Sequence, residues 1–116
     1  AKVIPTGDTA ANRLGFSTQV PLNACFIISG SSRKLTLGNR TITLTHAAPK
    51  NFAYKGELMP QLVQALRSIG EENITEEVEK RIAQLLSETP ETETIEHDLL
   101  LAPAWVRQTI KRNIKN

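Results

Sequence analysis

Residues 35–45 constrain the fold more than any other part of the sequence, because apolar and polar side chains alternate there around Gly38-Asn39. A period of two is the pattern of a strand with one covered face, and a Gly-Asn pair suits the positive φ angles of a two-residue hairpin turn. Such a turn sets Leu35 opposite Ile42 and Lys34 opposite Thr43. The sequence therefore predicts a β-hairpin with an apolar face and a threonine-rich face. The apolar face would carry Leu35, Leu37, Ile42 and Leu44.

The segments before the hairpin predict two more strands and a short helix. Residues 3–6 form a short extended run, and residues 24–29 form a continuous apolar run typical of a central strand covered on both faces. Between them, Asp8 can cap a short helix that Gly15 closes in a left-handed conformation. Cys25 lies inside the apolar run and is expected to be a small core residue rather than a nucleophile.

After the hairpin, the spacing of apolar residues changes from strand-like to helical. One predicted helix ends at Gly70, a second is capped by Thr75, and a third begins at Pro103. Residues 88–93 are expected to form a polar linker, and Trp105 is expected to be a buried core anchor. The fold class predicted from this order is α+β: a small mixed or antiparallel sheet (strand, short helix, strand, β-hairpin) backed by three C-terminal helices.

Length and composition fit a single domain spanning residues 1–116. The single cysteine excludes an internal disulfide and favours a reducing compartment, so a cytoplasmic protein is expected. No apolar run approaches the roughly 18 residues that a membrane span requires, so no membrane partner is expected. The chain begins at Ala1-Lys2-Val3 without methionine and enters a strand at once. We therefore expect a further segment on its N-terminal side.

The net charge of +2 conceals three blocks of opposite sign. Residues 1–56 carry seven lysines and arginines against one aspartate, and residues 57–98 carry eleven acids against three bases. The remaining residues carry four bases and no acid. Such blocks favour either an anionic partner for the basic portion, or mutual attraction within the fold with the acidic helices facing water. Both interpretations stay open at this point.

The residues that usually carry catalysis or bind metals are few and dispersed. Asp8 and Asp98 are the only aspartates, which leaves no carboxylate cluster of the kind that holds Mg²⁺ in nucleotidyltransferases and nucleases. His46 and His97 do not form a ligand-spaced pair, and zinc would require three or four ligands. The sequence therefore predicts no enzyme, no metal and no cofactor, with solvated or hydrogen-bonded structural roles for both histidines.

The candidate binding surface is the polar side of the hairpin together with its connectors. Lys34 is predicted to share that side with several threonines, with more cations nearby. Charges and hydroxyl groups together can bind the phosphates of a nucleic acid or of another phosphate-bearing ligand. A solvated edge hairpin, charged against aggregation, explains the same residues, and the scattered aromatic residues argue against base stacking. The candidate anion- or partner-binding residues are Arg33, Lys34, Arg40, Lys50 and Asn51.

Six short phrases follow one another along the chain: Ile4-Pro5-Thr6-Gly7, Ala11-Asn12-Arg13-Leu14-Gly15, Ser17-Thr18-Gln19-Val20-Pro21, Pro49-Lys50-Asn51, Lys55-Gly56-Glu57 and Leu101-Ala102-Pro103-Ala104-Trp105. In this order and spacing they resemble the C-terminal part of a bacterial family related to the AbiEi-type antitoxins of abortive-infection, type IV toxin–antitoxin systems. The similarity extends from about Val3 to about Lys111 and rests on order and spacing.

The resemblance implies a domain without catalytic residues that follows an N-terminal winged helix-turn-helix, which represses its own operon. It also implies a nucleotidyltransferase-like toxin that is countered without a stable toxin–antitoxin complex. The winged helix would lie outside this chain. The leading hypothesis is an antitoxin-like or transcriptional-regulator-associated module; the alternatives are a nucleic-acid-binding module that uses the hairpin, and an unrecognised enzyme.

Overall fold

The computed structural model describes residues 2–89 and 92–114, which form an α+β fold with a mixed sheet. Two short 3-10 helices, Pro49–Phe52 and Glu71–Asn73, precede and follow the helix Leu58–Ile69 along the chain. The strands and helices are β1 (Val3–Pro5), α1 (Gly7–Arg13), β2 (Asn23–Ile28), β3 (Arg33–Leu37), β4 (Arg40–His46), α2 (Leu58–Ile69), α3 (Glu76–Ser87), α4 (Thr92–Leu99) and α5 (Ala104–Arg112).

The sheet has the strand order β1-β2-β4-β3, so the hairpin of β3 and β4 forms one side of the sheet and β3 is its edge. β2 pairs antiparallel with β1 and parallel with β4. The predicted hairpin register is confirmed: Leu35 lies opposite Ile42 and Lys34 opposite Thr43. At the turn, Gly38 has a φ of +62° while Asn39 keeps a negative φ, which is the φ pattern of a type II′ turn.

β2 is central by hydrogen bonding, but the prediction that both of its faces are covered is wrong. Only Ile28 is buried, Asn23 is exposed, and the residues between them are half-buried. Cys25 is therefore half-buried and not a core residue. The run is apolar because β2 packs against α1 and is flanked by two strands. The spacing of apolar residues does not distinguish such a strand from one whose two faces are both covered.

The hydrophobic core lies mainly among the helices. α1 and α2 pack closely, because Ala10 and Ala11 present small side chains that let the two helices approach. α3, α4 and α5 complete this core with buried aliphatic side chains at helical spacing. Trp105 packs against the same core but is half-buried rather than buried. The principal fully buried side chains of the core are Met59, Leu62, Leu66, Ile82, Val106 and Ile110.

The predicted helix ends are mostly observed. The Thr75 side chain accepts a hydrogen bond from the Val78 N–H at 3.3 Å, and Gly70 ends α2 with a φ of +90°. Pro103 occupies the capping position directly before α5. The predicted cap of α1 is wrong, since Thr6 occupies that position and Asp8 lies within the helix.

The part of the chain that the structure describes has four helices after the hairpin, where the sequence predicted three. The additional helix is α4, which overlaps the predicted linker 88–93; Pro90 and Glu91 of that linker lie outside the described residues. Ile95 and Leu99 of α4 are buried in the core. α4 has only two turns and two buried apolar residues, so its sequence is too short to show helical periodicity.

Candidate interaction surface

The β3–β4 hairpin is the part of the fold that contributes least to the core. All five residues of β3 are exposed, and so is every residue from 31 to 40. β4 pairs with β2 and β3 through extensive contacts, while the helices pack on β1 and β2. The hairpin is therefore held by strand hydrogen bonds and presents both of its faces to solvent.

The strand register separates the predicted cations onto two faces. Arg33 lies opposite Leu44, and Arg40 lies opposite Leu37, so both arginines share the face of Leu35. Arg33 and Arg40 are about 13 Å apart along the strands, at four residues of separation. The hairpin residues of this face, hereafter the arginine–leucine face, are Arg33, Leu35, Leu37, Arg40, Ile42 and Leu44.

Lys34 lies on the opposite face, as predicted, together with the threonines. The Thr43 hydroxyl there donates a hydrogen bond to the Asn23 side-chain oxygen at 2.9 Å. This threonine face is thus polar but carries a single hairpin cation. Arg33 and Arg40, predicted near this face, lie on the opposite one, because residues one apart on a strand point to opposite faces. The remaining threonines of this face are Thr36, Thr41 and Thr45.

The arginine–leucine face combines positive charge with exposed apolar area. Leu35 and Leu37 are 45% and 64% exposed, and Leu22, which directly precedes β2, is 65% exposed. The Leu22 carbonyl accepts the Thr41 N–H at 2.9 Å, which places Leu22 beside the start of β4. At the border with β2, the Arg13 guanidinium lies 5.9 Å from the centroid of the Phe26 ring. Arginine beside exposed apolar side chains is the composition of protein–protein interfaces.

Lys50 and Asn51 lie away from the hairpin turn, in the 3-10 helix Pro49–Phe52 that follows β4. About 20 Å separates Arg40 from His46 at the other end of β4, so Lys50 and Asn51 lie far from Arg40, at the end of the hairpin where Arg33 pairs with Leu44. The Asn51 side chain and its backbone N–H both donate to the Ala48 carbonyl, at 3.1 and 3.0 Å. Asn51 therefore stabilises the local turn, and the neighbouring Lys50 is exposed to solvent.

Lys50 and Asn51 instead line a cleft of about 450 Å³ between the 3-10 helix, α2 and the α4–α5 turn. The opposite wall carries Gln64 and Arg67 from α2, and Tyr54 lies between the walls. Sequence reasoning missed this cleft, because Gln64 and Arg67 sit on the polar side of an amphipathic helix and look like any solvated face. In the following text this space is called the Lys50–Arg67 cleft.

Tyr54 is half-buried at the edge of the cleft, and its hydroxyl donates to the Leu101 carbonyl at 3.3 Å. Burial raises the pKa of the Tyr54 phenol above its usual range, and the carboxylate of Asp98 adds to the rise. The positive charge of Arg67 acts in the opposite direction on the same pKa. The phenol is therefore neutral at physiological pH.

Asp98 is completely buried, and hydrogen bonds satisfy both of its carboxylate oxygens. Oδ1 accepts the Lys55 N–H and Oδ2 accepts the Gly56 N–H, both at 2.8 Å, and the His97 Nδ1 lies 2.8 Å from Oδ1. His46 is likewise engaged, with its Nδ1 2.9 Å from the Gly30 carbonyl oxygen. These contacts are structural. Within residues 2–89 and 92–114, no three His, Cys, Asp or Glu side chains are grouped so as to hold a metal ion.

The fold and these surfaces define a small α+β domain with an exposed hairpin and a polar cleft. The chain belongs to the family described as "Family of unknown function (DUF6088)", whose model matches residues 1–94. No curated protein and no solved structure matches the chain. None of the helices in the described part of the chain is long and apolar enough to cross a bilayer.

Proposed function

We propose that this domain is a non-enzymatic, antitoxin-like or transcriptional-regulator-associated module of a bacterial type IV toxin–antitoxin system, which counters a nucleotidyltransferase-like toxin in the cytoplasm. The resemblance of residues from about Val3 to about Lys111 supports the antitoxin assignment. The observation that carries the role of an interaction module is the arginine–leucine face. It exposes Leu35 and Leu37 beside two arginines on a hairpin that the core does not require.

A transient protein partner whose surface is apolar and acidic would complement this face. Exposed leucines favour burial against an apolar patch, and arginines are enriched at interfaces because they pair with carboxylates in a bidentate manner. Arg33 and Arg40 stand about 13 Å apart, one at each end of the leucine row, which would fix the orientation of such a partner. The resemblance implies that the domain counters the toxin without forming a stable complex with it.

The titratable side chains that could serve in catalysis are already hydrogen-bonded within the protein, which supports a role without catalysis. Asp98, His97 and His46 all form hydrogen bonds within the protein, and those of Asp98 and His46 join segments that are distant in the sequence. A catalytic group instead needs access to a substrate and hydrogen-bond reach to the reacting atoms. Asp98, the most deeply buried of the three, has no exposed surface at all.

The second candidate function is nucleic-acid binding through the threonine face, which places Lys34 among several hydroxyl groups. Phosphate oxygens accept hydrogen bonds from hydroxyl groups and from the lysine ammonium group. If Lys34 acts alone, the log–log dependence of affinity on salt should have a slope of about −0.9 on duplex DNA. If Lys34, Arg40 and Lys50 acted together, the slope would be about −2.7. A measured slope near zero would exclude this candidate.

Growth rescue tests the proposal directly. A nucleotidyltransferase-like toxin of the kind that the resemblance implies is expressed from an inducible promoter, with or without residues 1–116. We expect the chain to restore growth, because the resemblance assigns repression to a segment outside it. Growth is the appropriate readout, since no stable complex with the toxin is expected. A folded chain that fails to rescue growth would contradict the assignment of neutralisation to this domain.

A further inference from the structure

We propose that the Lys50–Arg67 cleft is a binding site for a small organic phosphate, that is, a phosphate ester with a compact organic body. The volume of about 450 Å³ lies within the range of about 300–1,000 Å³ that is usual for small-molecule sites. The cleft is separate from the arginine–leucine face, and its occupation does not depend on the function proposed for that face.

The two cations of the cleft are not used by the fold. Within the described parts of the chain, neither the Lys50 nor the Arg67 side chain forms a hydrogen bond or an ion pair. Other arginines are engaged: Arg81 donates to the Leu14 carbonyl at 2.7 Å, and Arg112 lies 3.3 Å from the Glu79 carboxylate. Arg67 therefore keeps its planar fork free for an anion, while Lys50 supplies a point charge from the other wall.

The cleft carries more positive than negative charge, because no aspartate or glutamate is among the described residues that line it. The carboxylate whose charge reaches Tyr54 is that of Asp98, which is buried behind the cleft and bound to the N–H groups of Lys55 and Gly56. Tyr54 itself donates its hydroxyl hydrogen to Leu101 and carries no charge. An anion in the cleft would thus face two cations against one buried carboxylate.

The floor of the cleft is apolar, which favours an ester over free phosphate. Ile4 and Val63 are buried residues at its base, and Pro60 and the Tyr54 ring extend this surface. The Gln64 amide provides a neutral donor and acceptor between the floor and Arg67. This arrangement of an apolar lining with a few convergent polar groups is usual for organic ligands.

The wall formed by the α4–α5 turn is held in place before any ligand arrives. The Arg107 guanidinium donates to the Leu99 carbonyl at the end of α4 and to the Ala102 carbonyl in the turn, each at 3.1 Å. The Tyr54 hydroxyl holds Leu101 from the opposite side. A wall that is already ordered lowers the entropy lost on binding.

The test is a titration of the ¹⁵N-labelled chain with phenyl phosphate and, separately, with inorganic phosphate, followed by NMR. We expect saturable shifts of the Asn51 and Gln64 side-chain amides with a Kd below about 10 mM for phenyl phosphate, and weaker binding of inorganic phosphate. The variant Lys50→Ala/Arg67→Ala should weaken binding at least about tenfold. Both residues are exposed, so the variant is expected to keep the wild-type spectrum elsewhere.

The matched control is Lys34→Ala/Arg40→Ala, which removes the same net charge from the hairpin. This control should leave the affinity for phenyl phosphate unchanged. Equal weakening in both variants would show only general attraction of anions and would overturn the proposal. Failure to saturate with phenyl phosphate would overturn it as well, and tighter binding of inorganic phosphate would overturn the role of the apolar floor.

Discussion

The Asp98 Oδ2 atom, buried in α4, accepts the backbone N–H of Gly56 at 2.8 Å and so joins α4 to the segment that leads into α2. Oδ1 repeats this contact with the Lys55 N–H. One carboxylate thereby satisfies two backbone donors that would otherwise be buried or half-buried without a partner. The same segment carries Tyr54, so the contact also fixes one edge of the Lys50–Arg67 cleft.

Asp98→Ala is expected to destabilise the fold by about 2–5 kcal/mol, because it leaves two backbone donors unsatisfied. Asp98→Asn keeps the shape and one acceptor oxygen, so its cost should be smaller. Urea denaturation measures both free energies of unfolding. Glu96→Gln, an exposed carboxylate on the same helix, serves as the control and should change stability by less than about 0.5 kcal/mol. A loss below about 1 kcal/mol for Asp98→Ala would contradict the role given to this residue.

Gly15→Ala is expected to cost about 2–4 kcal/mol, from left-handed strain together with the loss of a hydrogen bond from the Arg81 guanidinium. Gly15 has a φ of +82°, and an added Cβ would lie 2.9 Å from the Arg81 guanidinium, which must then abandon the Leu14 carbonyl. Gly7→Ala is the matched control: its φ is +53° but nothing lies within 4 Å of an added Cβ. Its cost should be only about 1–2 kcal/mol. Thermal unfolding that ranks the two variants equally would disprove the contact with Arg81.

Tyr54 is the only tyrosine of the chain, so its ionisation can be followed by absorbance alone. We expect a midpoint above 10.0 in the folded protein and near 10.0 in urea, because burial raises the folded-state pKa. The folded state then favours the protonated phenol. Its stabilising contribution is complete below the unfolded pKa and is lost as the pH rises through the folded one.

Two variants identify the causes of that pKa shift. Arg67→Ala should raise the midpoint further, since the Arg67 charge lowers the pKa of Tyr54, and Asp98→Asn should lower it. Tyr54→Phe should abolish the transition. A folded-state midpoint at or below 10.0 would contradict both the burial of Tyr54 and the geometry of this edge of the cleft.

The hairpin could be predicted in detail because two independent constraints agree. The Gly38-Asn39 turn fixes which residues oppose each other, and the alternation of leucine and threonine fixes the same register. The faces follow from the register, and Arg33 and Arg40 could have been assigned to the leucine face by the same counting. Naming them with Lys34 as candidate binding residues rests on nearness in the sequence, which takes no account of the period of two.

The remaining features depend on contacts between distant segments. The parallel pairing of β2 with β4 and the burial of α4 are set by how the elements pack, not by any local signal. Asp98 reads as an ordinary acidic residue until the fold brings Gly56 to it. Arg67 likewise meets Lys50 only across the Lys50–Arg67 cleft. Sites assembled in this way are invisible to patterns confined to one element.

The central claim is that the arginine–leucine face serves a partner and not the fold. Leu35→Thr/Leu37→Thr keeps strand propensity while removing the two exposed leucines. Because both side chains are exposed, we expect the free energy of unfolding to change by about 1 kcal/mol or less. The melting temperature should then stay within a few degrees of that of the wild type. Lys34→Ala on the opposite face is the control.

The most direct measurement is therefore toxin rescue by the wild type, by Leu35→Thr/Leu37→Thr and by Lys34→Ala, each with its melting temperature recorded. We expect the leucine variant to fold but to lose rescue, whereas Lys34→Ala should fold and rescue. A leucine variant that melts like the wild type and still restores growth would show that the arginine–leucine face is not needed for neutralisation. Loss of rescue in Lys34→Ala alone would transfer the function to the threonine face and to nucleic-acid binding.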